Sequence, residues 1–362
     1  MKGSCDIMAK KKRITLVNNF NELIENGDME QLKAVYEKCE LHAYDGRYGM
    51  NTALHHYGVP ASLVRWLVDQ GLDVNTLNYY GRTPLYVQST IGSDIVELLF
   101  ELGGDIQKPD RYGNTPLHTA SEFFHTKTVQ FLVEHGADVH AENDWNRTPL
   151  AASLACCRNS NISQVAEISS ILLDAGTKIT SDMIERVKQI GEDFEFHREN
   201  FNKQFLLETE TGLNKLYQLF GVTPVAKRQI HDGVSPIVVE DAPWKQQYEA
   251  LWNFLIPSKG PAKTMQGEVI RITGRVQDEL YRNGGVNWDR NYRNMLHALL
   301  KHFASGVPLS EKELEEAKML TSSIRAKGAD EDSLTERLCE LAVLWVLLNP
   351  NPIPLEKPNY DR

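Results

Sequence analysis

One triplet returns four times in this chain at a nearly fixed spacing. Thr52-Ala53-Leu54, Thr83-Pro84-Leu85, Thr115-Pro116-Leu117 and Thr148-Pro149-Leu150 follow one another at intervals of 31, 32 and 33 residues. A glycine-led signal keeps pace at Gly71-Leu72-Asp73-Val74, Gly103-Gly104-Asp105-Ile106, Gly136-Ala137-Asp138-Val139 and Gly176-Thr177-Lys178-Ile179. A unit of that size cannot bury its apolar face alone. It must stack on its neighbours, so the period predicts a solenoid of small helical units before any other residue is considered.

The chemistry inside each unit agrees. Thr83, Thr115 and Thr148 are placed to cap a first helix, and the proline after each suits the first helical position. Leu85, Leu117 and Leu150 begin the buried stripe. Second helices are expected over 61–69, 93–101, 126–134 and 165–174, each ended by its glycine in a left-handed cap. The fourth unit carries an insertion near Arg158-Asn159-Ser160-Asn161, expected as a surface loop or a longer helix. Ahead of the first triplet, Leu23, Ile24, Leu32, Val35 and Tyr36 stand at helical spacing around the turn Asn26-Gly27-Asp28, as in a degenerate capping unit.

Residues 115–120 read TPLHTA, which matches the ankyrin pattern T-P-L-H-x-A. Over residues 20–180 the chain therefore resembles an ankyrin-repeat protein of bacterial type, with about five repeats. The resemblance implies a surface whose default task is to hold another protein. Tyr86 and Ala151 depart from the histidine of the pattern, which is expected to weaken those two repeats. Residues 240–305, with PWKQQYEALWNFLIPSKG, TMQGEVIRITGR and NGGVNWD, look like a recurrent bacterial domain of unknown role. Bacterial ankyrin proteins joined to a C-terminal module of their own belong to toxin–immunity pairs or to secreted effectors. That resemblance is one of architecture.

The predicted fold class is mainly α, an ankyrin-repeat solenoid followed by a C-terminal α-helical domain. Residues 1–19 read as a flexible basic tail around Lys10, Lys11, Lys12 and Arg13, and 20–180 as the repeats. Residues 181–243 read as a helical or irregular connector, 244–349 as the C-terminal helical domain, and 350–362 as an extended Pro-rich tail. The formal net charge is −10, and the acidic excess lies in 20–180. An acidic solenoid disfavours nucleic acid and favours a basic protein partner by long-range steering. No apolar run approaches the ~20 residues that span a bilayer. The five cysteines, Cys5, Cys39, Cys156, Cys157 and Cys339, form no disulfide framework or zinc spacing, which fits a reducing cytoplasm.

Two constellations carry candidate function. At the expected hairpin tips Tyr79, Tyr80, Arg82, then Arg111, Tyr112, Asn114, then Trp145, Arg147 recur in register. Aromatics flanked by arginine have the composition of a protein-binding hot spot. In the C-terminal part, Glu268, Arg271, Arg275 and Asp289 form a polar cluster. It reads either as acid–base machinery or as helix-lacing pairs, Glu268 with Arg271 and Arg275 with Glu279. Gly267 and Gly274, seven apart, permit a close approach on one helix face. His55 and His118 take the same slot after the triplet leucine and read as framework histidines. No metal site and no cofactor is expected, and no GxGxxG after a strand, GxxxxGK(S/T), HExxH or GxSxG is present. The leading expectation is a non-enzymatic binding protein of inhibitor or immunity type that neutralises a partner such as a toxin. An enzyme with a catalytic C-terminal module recruited by the repeats, and a host-directed ankyrin effector, remain open alternatives.

Overall fold

The computed structural model of the chain describes residues 11–46, 49–325 and 330–360. The chain divides into two compact units. The first runs through Asp193 and takes in Asn202–Val225; the second holds Phe194–Phe201 and the chain from Ala226 onward.

The first unit opens with a strand, β1 (Arg13–Thr15), paired in parallel with β2 (Cys39–Tyr44) across α1 (Phe20–Asn26) and α2 (Met29–Lys38). The expectation of a flexible tail over 1–19 therefore fails from Arg13 onward. Leu16 is buried, and Lys12 donates from Nζ to the Tyr36 carbonyl at 2.6 Å. Cys5 and Lys10 lie outside the described residues. Asp28 and Gln31 cap α2 reciprocally, each side chain accepting from the other's backbone N–H.

Four helix pairs follow. A single 3-10 turn at Ala53–His55 precedes α3 (Ala61–Asp69). Then come α4 (Pro84–Thr90) with α5 (Val96–Glu101), α6 (Pro116–Glu122) with α7 (Thr126–Glu134), and α8 (Pro149–Cys156) with α9 (Ile162–Asp174). Thr83, Thr115 and Thr148 accept from the backbone N–H three residues on, and each following proline occupies the first turn. Leu54, Leu85, Leu117 and Leu150 are completely buried. Gly71, Gly103, Gly136 and Gly176 all have positive φ just past the second helices, where a side chain would be strained. The insertion in the fourth unit is absorbed as a 3-10 turn at Asn159–Asn161 running into a lengthened α9.

After α9 the chain stays helical for longer than the expected connector implied. α10 (Ser181–His197) and α11 (Lys203–Phe220) leave only 221–243 without regular elements. α11 closes on α9 because Gly212 lets the backbones touch. A Cβ at Gly212 would stand 2.7 Å from Ser163 Cα.

The second unit is a helical body built on α13 (Met265–Tyr281). α12 (Trp244–Leu255), α14 (Arg290–Phe303) and α16 (Glu331–Leu348) pack against it, with α15 (Glu311–Ser323) alongside α14 and α16. Its core centres on Trp345, Phe303, Val269, Ile270, Leu299 and Leu341. Gly274 faces the Trp252 ring and the Tyr248 hydroxyl of α12, and Gly267 faces the Ala262 methyl group at the end of the α12–α13 loop; a Cβ at either place would collide. The loop before α12 supplies its C-terminal cap. The Arg228 guanidinium donates to the carbonyls of Trp252, Asn253 and Ile256 while lying over the Phe196 ring.

Candidate functional site

The hairpin tips are organised by one residue in each repeat that the sequence reading passed over. Asn78, Asp110 and Asn143 occupy the same place, and each folds its side-chain oxygen back onto its own turn. Asn78 Oδ1 accepts from the N–H groups of Tyr80 and Arg82, at 2.9 and 3.1 Å. Asp110 holds Tyr112 and Asn114 at the same two distances, and Asn143 holds Trp145 and Arg147 at 3.0 and 3.1 Å. These Asx turns aim the following aromatic away from the array. Tyr79, Tyr80, Tyr112 and Trp145 are 41–57 % exposed, high for side chains of their size.

Neighbouring hairpins are joined by side chains. Asn78 Nδ2 donates to Asn51 Oδ1 at 2.9 Å, and Asn143 Nδ2 to Asn114 Oδ1 at 2.8 Å. Between these two amide rungs lies a charged one. Arg82 donates from Nε and Nη2 to Asp110 Oδ2, both at 3.2 Å, and Tyr86 donates its hydroxyl to the same oxygen at 3.0 Å. Tyr86 therefore does not loosen its repeat: where histidine is missing, tyrosine reaches the next hairpin by a longer path.

The two framework histidines work from the helix side. His118 Nε2 meets the Arg147 carbonyl at 2.9 Å, and His55 Nε2 meets the Arg82 carbonyl at 3.1 Å. A carbonyl only accepts, so Nε2 carries the proton. Nδ1 is then the acceptor for Thr115 N–H at 3.1 Å and for Thr52 N–H at 3.2 Å. Both rings are neutral, and burial pushes the His55 pKa down to about 4 and lowers that of His118.

The expected binding residues thus separate. Tyr79, Tyr80, Tyr112 and Trp145 form an exposed row. Arg111 lies over the Tyr79 ring at 4.9 Å, Arg82 over Tyr80 at 5.5 Å, and the Tyr112 and Trp145 rings are 5.7 Å apart. Arg147 is exposed at the end of the series, where its charge is felt by Glu122. Asn114 does not belong with the others. It is buried and occupied by Asn143, so its role is to hold hairpins together.

The second constellation does not assemble into a cleft. Glu268 and Arg271 are sealed, with side chains 0 % and 2 % exposed. Arg271 donates Nη2 to Glu268 Oε1 at 2.7 Å and Nε to Oε2 at 2.9 Å. Ala262 N–H and the Tyr360 hydroxyl complete the carboxylate, at 3.1 and 2.6 Å. Burial alone would raise the Glu268 pKa; the Arg271 hydrogen bonds and charge outweigh it and hold the group below its ordinary value. Arg275 is exposed, and Asp289 caps α14 by accepting from Asn291 N–H and Tyr292 N–H. The expected pair of Arg275 with Glu279 is replaced. Glu279 instead gathers Asn283, Asn287 and Tyr292, tying the Asn283–Asn287 loop to the end of α13.

Among the described residues no three His, Cys, Asp or Glu side chains converge as metal ligands, and no helix is long and apolar enough to cross a membrane. Residues 50–143, and again 92–182, match the family model described as ankyrin repeats (3 copies). No curated protein matches the chain. Residues 50–182 are ankyrin repeats, and the chain is a mainly α array of them followed by a helical region.

Proposed function

We propose that the chain is a non-enzymatic scaffold that grips a protein partner along its hairpin row and neutralises it, as an inhibitor or immunity-type protein does a toxin. Ankyrin repeats are interaction modules, which supports binding to a protein as the first half of this reading. The observation that carries the rest is the row itself. Tyr79, Tyr80, Tyr112 and Trp145 stand out from turns locked by Asn78, Asp110 and Asn143, so the aromatics are held ready with little conformational entropy left to lose. Arg111, lying over the Tyr79 ring, and the exposed Arg147 flank them with guanidinium donors. The acidic total charge steers a basic partner toward the array. In the contact itself these arginines receive acceptor groups. The sealed, fully bonded Glu268–Arg271 pair supports a structural role for the polar cluster in the second unit.

The test is a triple substitution, Tyr80→Ala, Tyr112→Ala and Trp145→Ala. It is expected to leave the melting temperature close to wild type and to weaken the partner captured by wild-type chain by at least ~2 kcal/mol, about thirtyfold in Kd. Wild-type chain is further expected to abolish the partner's activity at one-to-one stoichiometry, and the triple variant to fail at the same concentration. Equal capture and equal inhibition by both proteins would remove the hairpin row from the reading.

A further inference from the structure

Residues 350–362, expected as an extended Pro-rich tail, are in their described part a strap laid across the start of α13. Asn349 anchors its near end, donating Nδ2 to the carbonyls of Trp345 and Val307 at 2.8 and 2.9 Å. Beyond it, prolines at 350, 352 and 354 remove every second N–H, and the remaining backbone groups are read from both edges. On one edge Gln266, wholly buried, donates Nε2 to the carbonyls of Asn349 and Asn351, at 2.8 and 2.7 Å, and accepts from Ile353 N–H at 3.0 Å. Met265 N–H adds a bond to the Ile353 carbonyl at 2.9 Å, and on the other edge Ile237 N–H donates to the Pro350 carbonyl at 2.8 Å. Further along, Tyr360 turns in and seats its hydroxyl on Glu268.

This is the hydrogen-bonding pattern by which a groove holds an extended peptide: main-chain bonds at alternate residues, and a pocket for one side chain. The grip is polar. None of residues 350–359 is buried; only Tyr360 is. Lifting the strap uncovers Tyr360 and the partly buried Ile353, its contacts with the core, and gives Gln266, Glu268 and Arg271 access to water. A segment with a single buried side chain belongs to the low end of local stability in a fold.

We propose that the groove formed by Gln266, Met265, Ile237 and the Glu268–Arg271 pair is a peptide-binding site. Its ligand class is an extended, proline-interrupted segment that carries a tyrosine, and the chain's own strap fills it in cis. A segment of the same chemistry presented in trans displaces the strap and takes its bonds one for one. The tethered strap competes at an effective concentration in the millimolar range, which keeps the site closed to weak ligands.

The experiment uses full-length chain and a labelled synthetic peptide of residues 350–360. Wild-type chain is expected to bind the peptide weakly. Tyr360→Ala, which removes the anchor of the tethered strap, is expected to bind it at least tenfold more tightly. A peptide with phenylalanine in place of its tyrosine loses the bond to Glu268 and is expected to bind tenfold or more weaker. Hydrogen exchange on the wild-type chain supplies the second measurement, independent of any variant's folding. The Ile353 amide is expected to exchange at least tenfold faster than core amides of α13 and α16, reporting a strap that opens by itself. Two results would overturn the proposal: a folded Tyr360→Ala chain that ignores the peptide, or an Ile353 amide that exchanges only together with the α13 core.

Discussion

The hairpin ladder of the repeats and the sealed pair on α13 solve the same problem in opposite ways. Both hold extended chain in place with polar side chains. In the array the work is divided: each hairpin has its own Asx turn and its own rung, and the charged rung sets a sealed Asp110 against an Arg82 side chain that is 33 % exposed. In the second unit one carboxylate with no exposure serves Arg271, Ala262 and Tyr360 together. Divided bonds fail locally and mildly. A concentrated knot fails as a whole when its Arg271 goes, because that leaves the Glu268 charge in a place without water.

The comparison is tested most severely by Arg271→Ala. It strands Glu268 and is expected to cost ~3–5 kcal/mol in urea unfolding, with the loss confined to second-unit segments in hydrogen exchange. A cost below ~1 kcal/mol would mean that water reaches the pair, and the contrast with the array would collapse. In the array the matching large effect should come from packing and not from charge. Leu117→Ala is expected to cost ~2–5 kcal/mol and to raise exchange in the repeats on both sides, since each repeat is buried only by its neighbours.

Acid should separate the two units along the pH axis. His55 is neutral in the fold with its pKa pushed down to about 4, against an ordinary 6.5. Its contribution, roughly 3 kcal/mol, is complete above pH 6.5 and fades as pH falls from there toward 4, because the unfolded chain takes up the proton first. His118 acts in the same direction. Glu268 is depressed from 4.5, so what it contributes is kept above that value and lost only below it. Repeats 50–115 are therefore expected to loosen before α13 does in a titration followed segment by segment by hydrogen exchange. The reverse order would assign the wrong charge state to the histidines. The smallest expected effect is Arg82→Ala: the lost partner is part exposed, and Tyr86 and the N–H groups of Tyr112 and Asn114 still hold the sealed Asp110, so the cost is about 1 kcal/mol.

Much of the array was legible because its signals are local and repeated. A cap, a proline, a leucine and a glycine recur within a few residues of one another, and the period makes coincidence implausible. The ladder was less legible, although Asn78, Asp110 and Asn143 recur just as regularly. What those side chains do depends on partners a whole repeat away, so Asn114, half of a buried amide rung, passed for a surface residue. Arg82 gave no sign in the sequence that Asp110 already holds it. In the second unit the i,i+3 spacing correctly joined Glu268 to Arg271, but Arg275 and Glu279 parted. The loop that directly follows α13 folds back and brings Asn283 and Asn287, four and eight residues on, to that carboxylate first. The proline pattern of 350–354 announced extended backbone. Nothing local announced that Gln266 and Glu268, some 85 residues earlier, would be the surface it lies on.

The alternation of rungs has a consequence for how such an array can change. Asn51 with Asn78 and Asn114 with Asn143 are amide pairs, while Arg82 with Asp110 is ionic. Excising residues 83–114, one period of the chain, would bring Arg82 against Asn143, a guanidinium facing an amide. Duplicating the same stretch would set Asn114 of the first copy against Asp110 of the second, an amide facing a carboxylate. The repeats share an outline but carry keyed edges, so their sequence along the chain is fixed. Unequal recombination, the usual way repeat arrays lengthen and shorten, meets a barrier at the middle of this one.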